Sequence, residues 1–364
     1  MTRLLYQIKT ALYSFHVNHG AKMTNFCNYQ LPIQYKKGLM KEHQACREGA
    51  SLFDVSHMLQ TSLKGKDSVD YLEKICCGDI KELKNGQSLY TLLLNTKGTI
   101  VDDAIVQKID ENDFYLVSNA GCRDKVKPYL KDMKTELQVD IEEIDKSLIA
   151  IQGPKAVGLF EQLVKQSFKE LYFMNGKTIQ YNNTEIRVSR CGYTGEDGLE
   201  LSVDHTLVEE LATDLVKLGI EPSGLGCRDS LRLESGLCLY GNDIDENTSI
   251  LEASLLFAVG KRRRNEGGFN GFDIYKQQKE NGVDKKRVGI VVDGAPSRAH
   301  ALLYKGDNCI GQVTSGCPSP TLKKNIAMAY VPPTMKDGVV KIRNKMYNFT
   351  VEKMPFVKQN YYRK

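Results

Sequence analysis

The 364 residues, 41% hydrophobic and 26% charged, have the balance of a globular chain of two or three domains and exclude wholesale disorder, a collagen-like repeat and a disulfide-held miniature scaffold. No apolar run approaches the roughly 18–20 residues needed to cross a bilayer, so a membrane-spanning chain is excluded as well. The net charge of +5 favours an acidic partner and is too small to argue for nucleic acid.

The first acidic residue is Glu42, preceded by Arg3, Lys9, Lys22, Lys36, Lys37 and Lys41. An acid-free basic start has the composition of a mitochondrial transit peptide. Met1–Tyr13 can be drawn as a short amphipathic helix with Leu4, Leu5, Ile8 and Leu12 near one face; a basic first strand is the alternative. After an Asp-Ser start, Val69, Leu72 and Ile75 recur at helical spacing over 67–76. Residues 88–94, 99–109 and 113–118 read as strands separated by turns, and 124–133 as a helix. A new unit opens at Ser147 with the apolar strand of LIAIQG, and Pro154 suits the first turn of a following helix. Residues 178–190 read as a hairpin around Asn182-Asn183, whose residue types tolerate positive φ. A helix over 206–218 has Leu207, Val208, Leu211, Leu215 and Leu218 on one face and Gly219 at its exit. Asp229–Glu234 is another helix, 260–287 a polar linker, and the stretch from Val288 a small β-barrel or sandwich.

The ten cysteines form no CxxC pair, and none stands at zinc-site spacing with the six histidines. A chain of this length buries its own core, so reduced, mostly buried thiols are read in preference to five disulfides. His57 reads as a satisfied buried histidine rather than a metal ligand. The glycine-rich GYTGEDG at 192–198 lacks the spacing of a dinucleotide fingerprint, and the chain has neither a P-loop nor a nucleophile elbow.

Four local groups carry chemistry. Asp102-Asp103 lies in a strand, where alternation sends one carboxylate inward at a cost unless it is paired or used; two solvated groups on an edge strand are the plain alternative. Tyr193 and Glu200 flank the acidic turn, for which an ordinary acidic loop is the plainer reading from local sequence. Arg228 sits at a helix start, opposes the macrodipole there and calls for a carboxylate or an anionic ligand, with Asp229 as a candidate cap. Lys261–Arg264 is the densest basic run: a solvated loop, a nuclear signal or a docking site for an acidic partner.

The strings SLFDVSHM (51–58), VSNAG (117–121), IQGP (151–154), RCGYTGEDGLE (190–200), RDSLRLESGLCLYGNDID (228–245), GAPSRAH (294–300), TSGCPSP (314–320), KKNIAMAYVP (323–332) and KMPFV (353–357) closely resemble the aminomethyltransferases, or T-proteins, of the glycine cleavage system. The resemblance runs from about Phe15 to the C-terminus. It implies an α+β fold, a three-domain cloverleaf with a C-terminal β-barrel. Residues 1–58 and 147–250 would form a discontinuous first domain, 59–146 an inserted second, 251–287 a linker and 288–364 the barrel.

The implied reaction takes the methylene carbon of an aminomethyl group from the dihydrolipoyl arm of H-protein and yields 5,10-methylenetetrahydrofolate, ammonia and reduced H-protein. The implied co-substrate is tetrahydrofolate, with no metal, flavin or nicotinamide. The implied partners are lipoylated H-protein and the other glycine cleavage proteins, with no nucleic acid and no membrane, in the mitochondrial matrix. By the same resemblance Asp103 is the catalytic aspartate beside the reacting nitrogens of the folate. Glu200 holds the pterin edge, Arg228 shapes the pocket, Tyr193, Tyr90 and Tyr361 belong to the substrate site, and Met58 and Asn119 complete its wall. Thr99 stands where the family usually has a second glycine, and Tyr29 where a tryptophan is common. Related dimethylglycine and sarcosine demethylases need a flavin module for which this chain has no fingerprint. Related iron–sulfur assembly proteins use the same fold as a binding scaffold and carry a cysteine signature of their own; the full GYTGEDGLE and RDSLRLE–GLCLYGNDID strings favour the transferase.

Overall fold

The computed structural model describes residues 7–364, divided between two units that each draw on separated stretches of the sequence. The first takes residues up to Met58, Asp145–Arg232 and Lys358–Lys364; the second takes Leu59–Ile144 and Leu233–Val357.

In the first unit the strand Ser147–Gln152 is buried at all six positions, as a central strand must be. It pairs antiparallel with Gly198–Val203 on one side and Ser51–Asp54 on the other, within a six-stranded sheet completed by Asn175–Tyr181, Thr184–Arg190 and Glu221–Pro222. The helices Ala156–Val164 and Val208–Lys217 cover it, packing Val157, Phe160, Val208, Leu211 and Leu215 against Ile149, Ile151, Leu199 and Leu201. Asn182 and Asn183 adopt the expected positive φ between the hairpin strands, and Gly219 does so after the helix. Pro154 lies ahead of its helix, which begins at Ala156.

The helix drawn over Met1–Tyr13 is not formed in its described part. Ile8–Lys9 pairs in parallel with Tyr29–Gln30, and a helix starts only at Tyr13; residues 1–6 lie outside the described residues. Leu12 and Phe15 instead enter the core. Thr10 and His16 both bond the buried Asp54 carboxylate, at 2.7 and 2.9 Å.

In the second unit a five-stranded sheet runs in the order Ser88–Leu94, Ile100–Asp110, Asp113–Ser118, Leu59–Lys64, Asp140–Glu143. The helices Ser68–Ile75 and Arg123–Lys134 bury Leu72, Ile75, Val126 and Leu130 with it. Thr99 needs no positive φ: Gly98 takes it, while the Thr99 hydroxyl accepts from Asn95 Nδ2 at 2.7 Å. The barrel is closed by six strands, from Lys286–Val292 to Lys345–Glu352.

The stretch 260–287 is not the polar loop expected from its composition. It holds the helices Arg263–Glu266 and Phe272–Asn281, and Phe269, Phe272 and Tyr275 pack into a core cluster with Ile100 and Leu94. The basic run belongs to this packing. Arg263 is 1% exposed and pairs with the buried Glu73, Arg262 pairs with Glu73 and Asp79, and Arg264 donates to two backbone carbonyls. Only Lys261 is exposed, so the run is neither a solvated loop nor an open docking surface. No disulfide links the ten cysteines, eight of which are buried. No helix among the described residues is long and apolar enough to cross a membrane.

Candidate active site

In the second unit Asp103 is set by a break in the pleat. Along the pairing of Ile100–Asp110 with Ser88–Leu94, Leu94 faces Ile100 and Leu93 faces Asp102, so Val101 is one residue too many, a β-bulge. On the other side the ladder ends at Ala104 opposite Ser118, and Asn119 meets the carboxylates beyond it. Asn119 Nδ2 donates to Asp102 Oδ1 at 2.8 Å and to Asp103 Oδ1 at 2.7 Å, and its backbone N–H donates to Asp102 Oδ2 at 2.9 Å. Past the bulge the pairing is regular, Asp102 opposite Leu93 and Asp103 opposite Leu92, so alternation still sends the two carboxylates to opposite faces. Asn119, beyond the end of the ladder, bonds both, with Asp102 fully buried and Asp103 half-buried.

Burial pushes both carboxyls well above the usual carboxylate range, and the Asp103 charge raises Asp102 further. Hydrogen bonds from Asn119 oppose this at both, and the Tyr90 phenol opposes it at Asp103. Tyr90 lies two positions along the neighbouring strand from Leu92, the residue opposite Asp103, hence on the same face. Asp102 is the deeper group and meets its neighbour's charge, so Asp103 ionises first. Between the two titrations the pair holds one proton and one negative charge.

In the first unit Tyr193, Glu200 and Arg228 come together. Glu200 is on the strand Gly198–Val203, flanked by Ala150 and Ser189. Arg228 is in the first turn of a helix that starts at Leu225, earlier than expected. Asp229 is inside this helix, bonded to Arg232 at 2.8 Å rather than capping. The Arg228 guanidinium lies over the Tyr193 ring, 4.6 Å from its centroid, and its buried Nη1 has no hydrogen-bond partner. Burial raises the Glu200 carboxyl, with the Arg228 charge and the Cys191 thiol holding it down in part; burial lowers Arg228, with Glu200 opposing. A half-buried cation with a buried, unused donor beside a carboxylate and an aromatic face suits a flat polar ligand that offers both acceptors and N–H donors.

The loop carrying Tyr193 is fixed by residues that motif reading left without a role. Gln152, of the IQGP string, accepts from Thr194 Oγ1 at 2.8 Å and donates to the Cys191 carbonyl at 2.9 Å. A Cβ on Gly192 would lie 1.9 Å from Gln152 Oε1, so only glycine fits there. Arg190 grips Asp197, and Arg47 pairs with Glu196 at 2.7 Å. Segment 358–364 closes the loop: Asn360 N–H donates to the Gly195 carbonyl at 2.7 Å and its side chain to Glu196 at 3.0 Å. Tyr361 stacks on Phe173 with ring centroids 4.0 Å apart, and burial pushes its phenol up to about 12. Met58 is half-buried, its N–H bonded to the Val55 carbonyl. His57 is buried edge-on against Phe26.

The family model described as the GCVT N-terminal domain matches residues 12–263, and that of the glycine cleavage T-protein C-terminal barrel domain matches residues 285–358. A protein of Mus musculus named "Aminomethyltransferase, mitochondrial" is 46% identical over 97% of this chain and 91% of its own length. One of Pisum sativum with the same name is 44% identical over 98% and 90%. The crystal structure of the glycine cleavage system aminomethyltransferase T from Bartonella henselae superposes with a TM-score of 0.93 at 35% identity, covering 98% of this chain and all of that one. With both domains matched in order and relatives similar over nearly their whole length, the chain belongs to the aminomethyltransferase family, the T-proteins of the glycine cleavage system.

Proposed function

We propose that this chain moves the methylene carbon of an aminomethyl group from the dihydrolipoyl arm of H-protein to tetrahydrofolate, in the mitochondrial matrix, beside the other glycine cleavage proteins. The observation that carries the reading is the near-full-length similarity to aminomethyltransferases. The carbon breaks its bonds to sulfur and to the amine nitrogen and forms bonds to two folate nitrogens. The two protons those nitrogens lose end on the sulfur and on the departing ammonia. The carbon stays at the formaldehyde oxidation level, so the balance calls for no electron acceptor.

The ionised Asp103 carboxylate accepts from the attacking folate amine, orients it and stabilises positive charge as the C–S bond opens. Asp102 shares the Asn119 amide with it. Glu200 accepts N–H bonds from the pterin edge, and Arg228 supplies the unused Nη1 donor and holds Tyr193 as an aromatic wall. Tyr361, Tyr90, Met58 and Asn119 are assigned to substrate binding on the family resemblance alone. The test is reconstitution with H-protein bearing a verified aminomethyl load. Methylenetetrahydrofolate and ammonia should form together, and only when tetrahydrofolate is added. Loaded H-protein left unconsumed in its presence would overturn the reading.

A further inference from the structure

We infer that Phe257 is a positioning residue for the reaction: its ring, stacked on Tyr90, holds the Tyr90 phenol against Asp103. The inference rests on the reading of Asp103 as the reacting carboxylate. Phe257 is 66% exposed, and an exposed aromatic by itself needs no explanation. Its geometry does: the ring lies 5.7 Å from the Tyr90 ring at an interplanar angle of 23°, an offset stack. Tyr90 in turn favours the ionised form of Asp103.

The turn that presents Phe257 is tied down on both sides of it. Arg264 donates to the carbonyls of Leu256 and Val259 at 3.0 and 3.1 Å, the Cys77 thiol to that of Ala258, and Gly260 N–H to that of Cys77. A Cβ on Gly260 would lie 2.6 Å from Asp79 Cβ, so that approach is built close. The basic run anchors the same turn through Arg262 on Asp79 and Arg263 on Glu73. Backbone groups on both sides of Phe257 are thus engaged, and its ring bears on Tyr90.

The consequence is a direction in pH. Asp103 acts ionised, so activity is lost as the pH falls through its pKa. Loosening the phenol removes an interaction that favours the charged form and raises that pKa. The other groups on this pair are Asp102 on the same strand, Cys122 and Tyr240 beside Asp102, Lys125 beside Cys122, and Cys238 with Arg287 beside Tyr90. Replacing Phe257 removes none of them.

The experiment is the pH profile of kcat for Phe257→Ala, Phe257→Trp, Tyr90→Phe and the Phe257→Ala/Tyr90→Phe double variant, with saturating tetrahydrofolate and loaded H-protein. Phe257→Ala should move the acid limb up by about 0.5–1 pH unit, the weight of one weakened hydrogen bond, with the KM for tetrahydrofolate unchanged. Phe257→Trp should restore the limb. Tyr90→Phe should move it alike, and Phe257→Ala should add nothing to Tyr90→Phe. The inference is overturned by an unmoved limb, by an equal shift in the Tyr90→Phe background, or by an effect confined to KM. Asp103→Asn separates the two readings: undiminished kcat there removes the premise, whereas a loss there with an unmoved Phe257→Ala limb removes this inference alone. Thermal melts confirm folding, which an exposed side chain should scarcely affect.

Discussion

At the scale of single residues, the aspartate pair gives the sharpest expectation. If the proposed role of Asp103 holds, Asp103→Asn should lower kcat by about 10²–10⁴-fold while tetrahydrofolate binding falls much less. Asp102→Asn leaves the Asp103 carboxylate in place and changes the opposite face of the strand, so kcat should fall little. Its cost should appear in the melt, about 1–3 kcal/mol for the acceptor that Asn119 loses. The reverse outcome, with Asp102→Asn the inactive variant, would place the reacting carboxylate at 102. Glu200→Gln should weaken tetrahydrofolate binding by about 1–3 kcal/mol, read by calorimetry, because one pterin N–H loses its acceptor. Sequence pattern located the pair and its alternation but not the donor the two share, because nothing in GTIVDD announces that Asn119, beyond the end of the neighbouring strand, bonds both carboxylates. Tyr193 and Arg228 were legible as site residues, but their stacking needs a loop and a helix brought together by the fold.

At the scale of elements, the basic run shows how composition misleads. Four adjacent cations read as solvent-facing, yet Arg263 is inside and its partner Glu73 comes from a distant helix. Arg263→Ala removes one of the two arginines paired with the buried Glu73, leaving Arg262, and should cost about 1.5–3 kcal/mol of stability, measured by denaturant melts. Lys261→Ala should change neither stability nor the salt dependence of KM for H-protein; a marked change in that dependence would return the run to the surface. The elements that were legible carry their own local signals: Asn182-Asn183 between alternating strands, and leucines at helical spacing before Gly219. The helix Phe272–Asn281 was missed because it buries little of its length, and its anchor is an aromatic cluster with Phe269 rather than a periodic aliphatic face.

At the scale of the whole molecule, the order of segments matters. The closed barrel was legible from short alternating strands, whereas the return of segment 358–364 to the first unit was not, since no local pattern encodes a contact with residues 195 and 196. The first unit is also stitched at its start, through Asp54. Burial raises that carboxyl, but bonds from His16, Ser56 and Thr10 together with the His16 charge outweigh burial and hold it down at about 2, from 3.8. A lowered folded pKa contributes stability above the unfolded value, here about 2 kcal/mol, which is lost as the pH falls from about 4 through about 2. Asp54→Asn should remove that contribution at neutral pH and flatten the acid limb of the melting curve; an unchanged acid limb would show the carboxylate to be replaceable. The clasp made by Asn360 has a different consequence, one of timing. A chain made from its N-terminus presents residue 360 after every described strand, so the Tyr193 loop receives these clamps late. A chain truncated after Val357 keeps all of those strands and loses the clamps, and should leave the Tyr193 loop looser, read as faster proteolysis there.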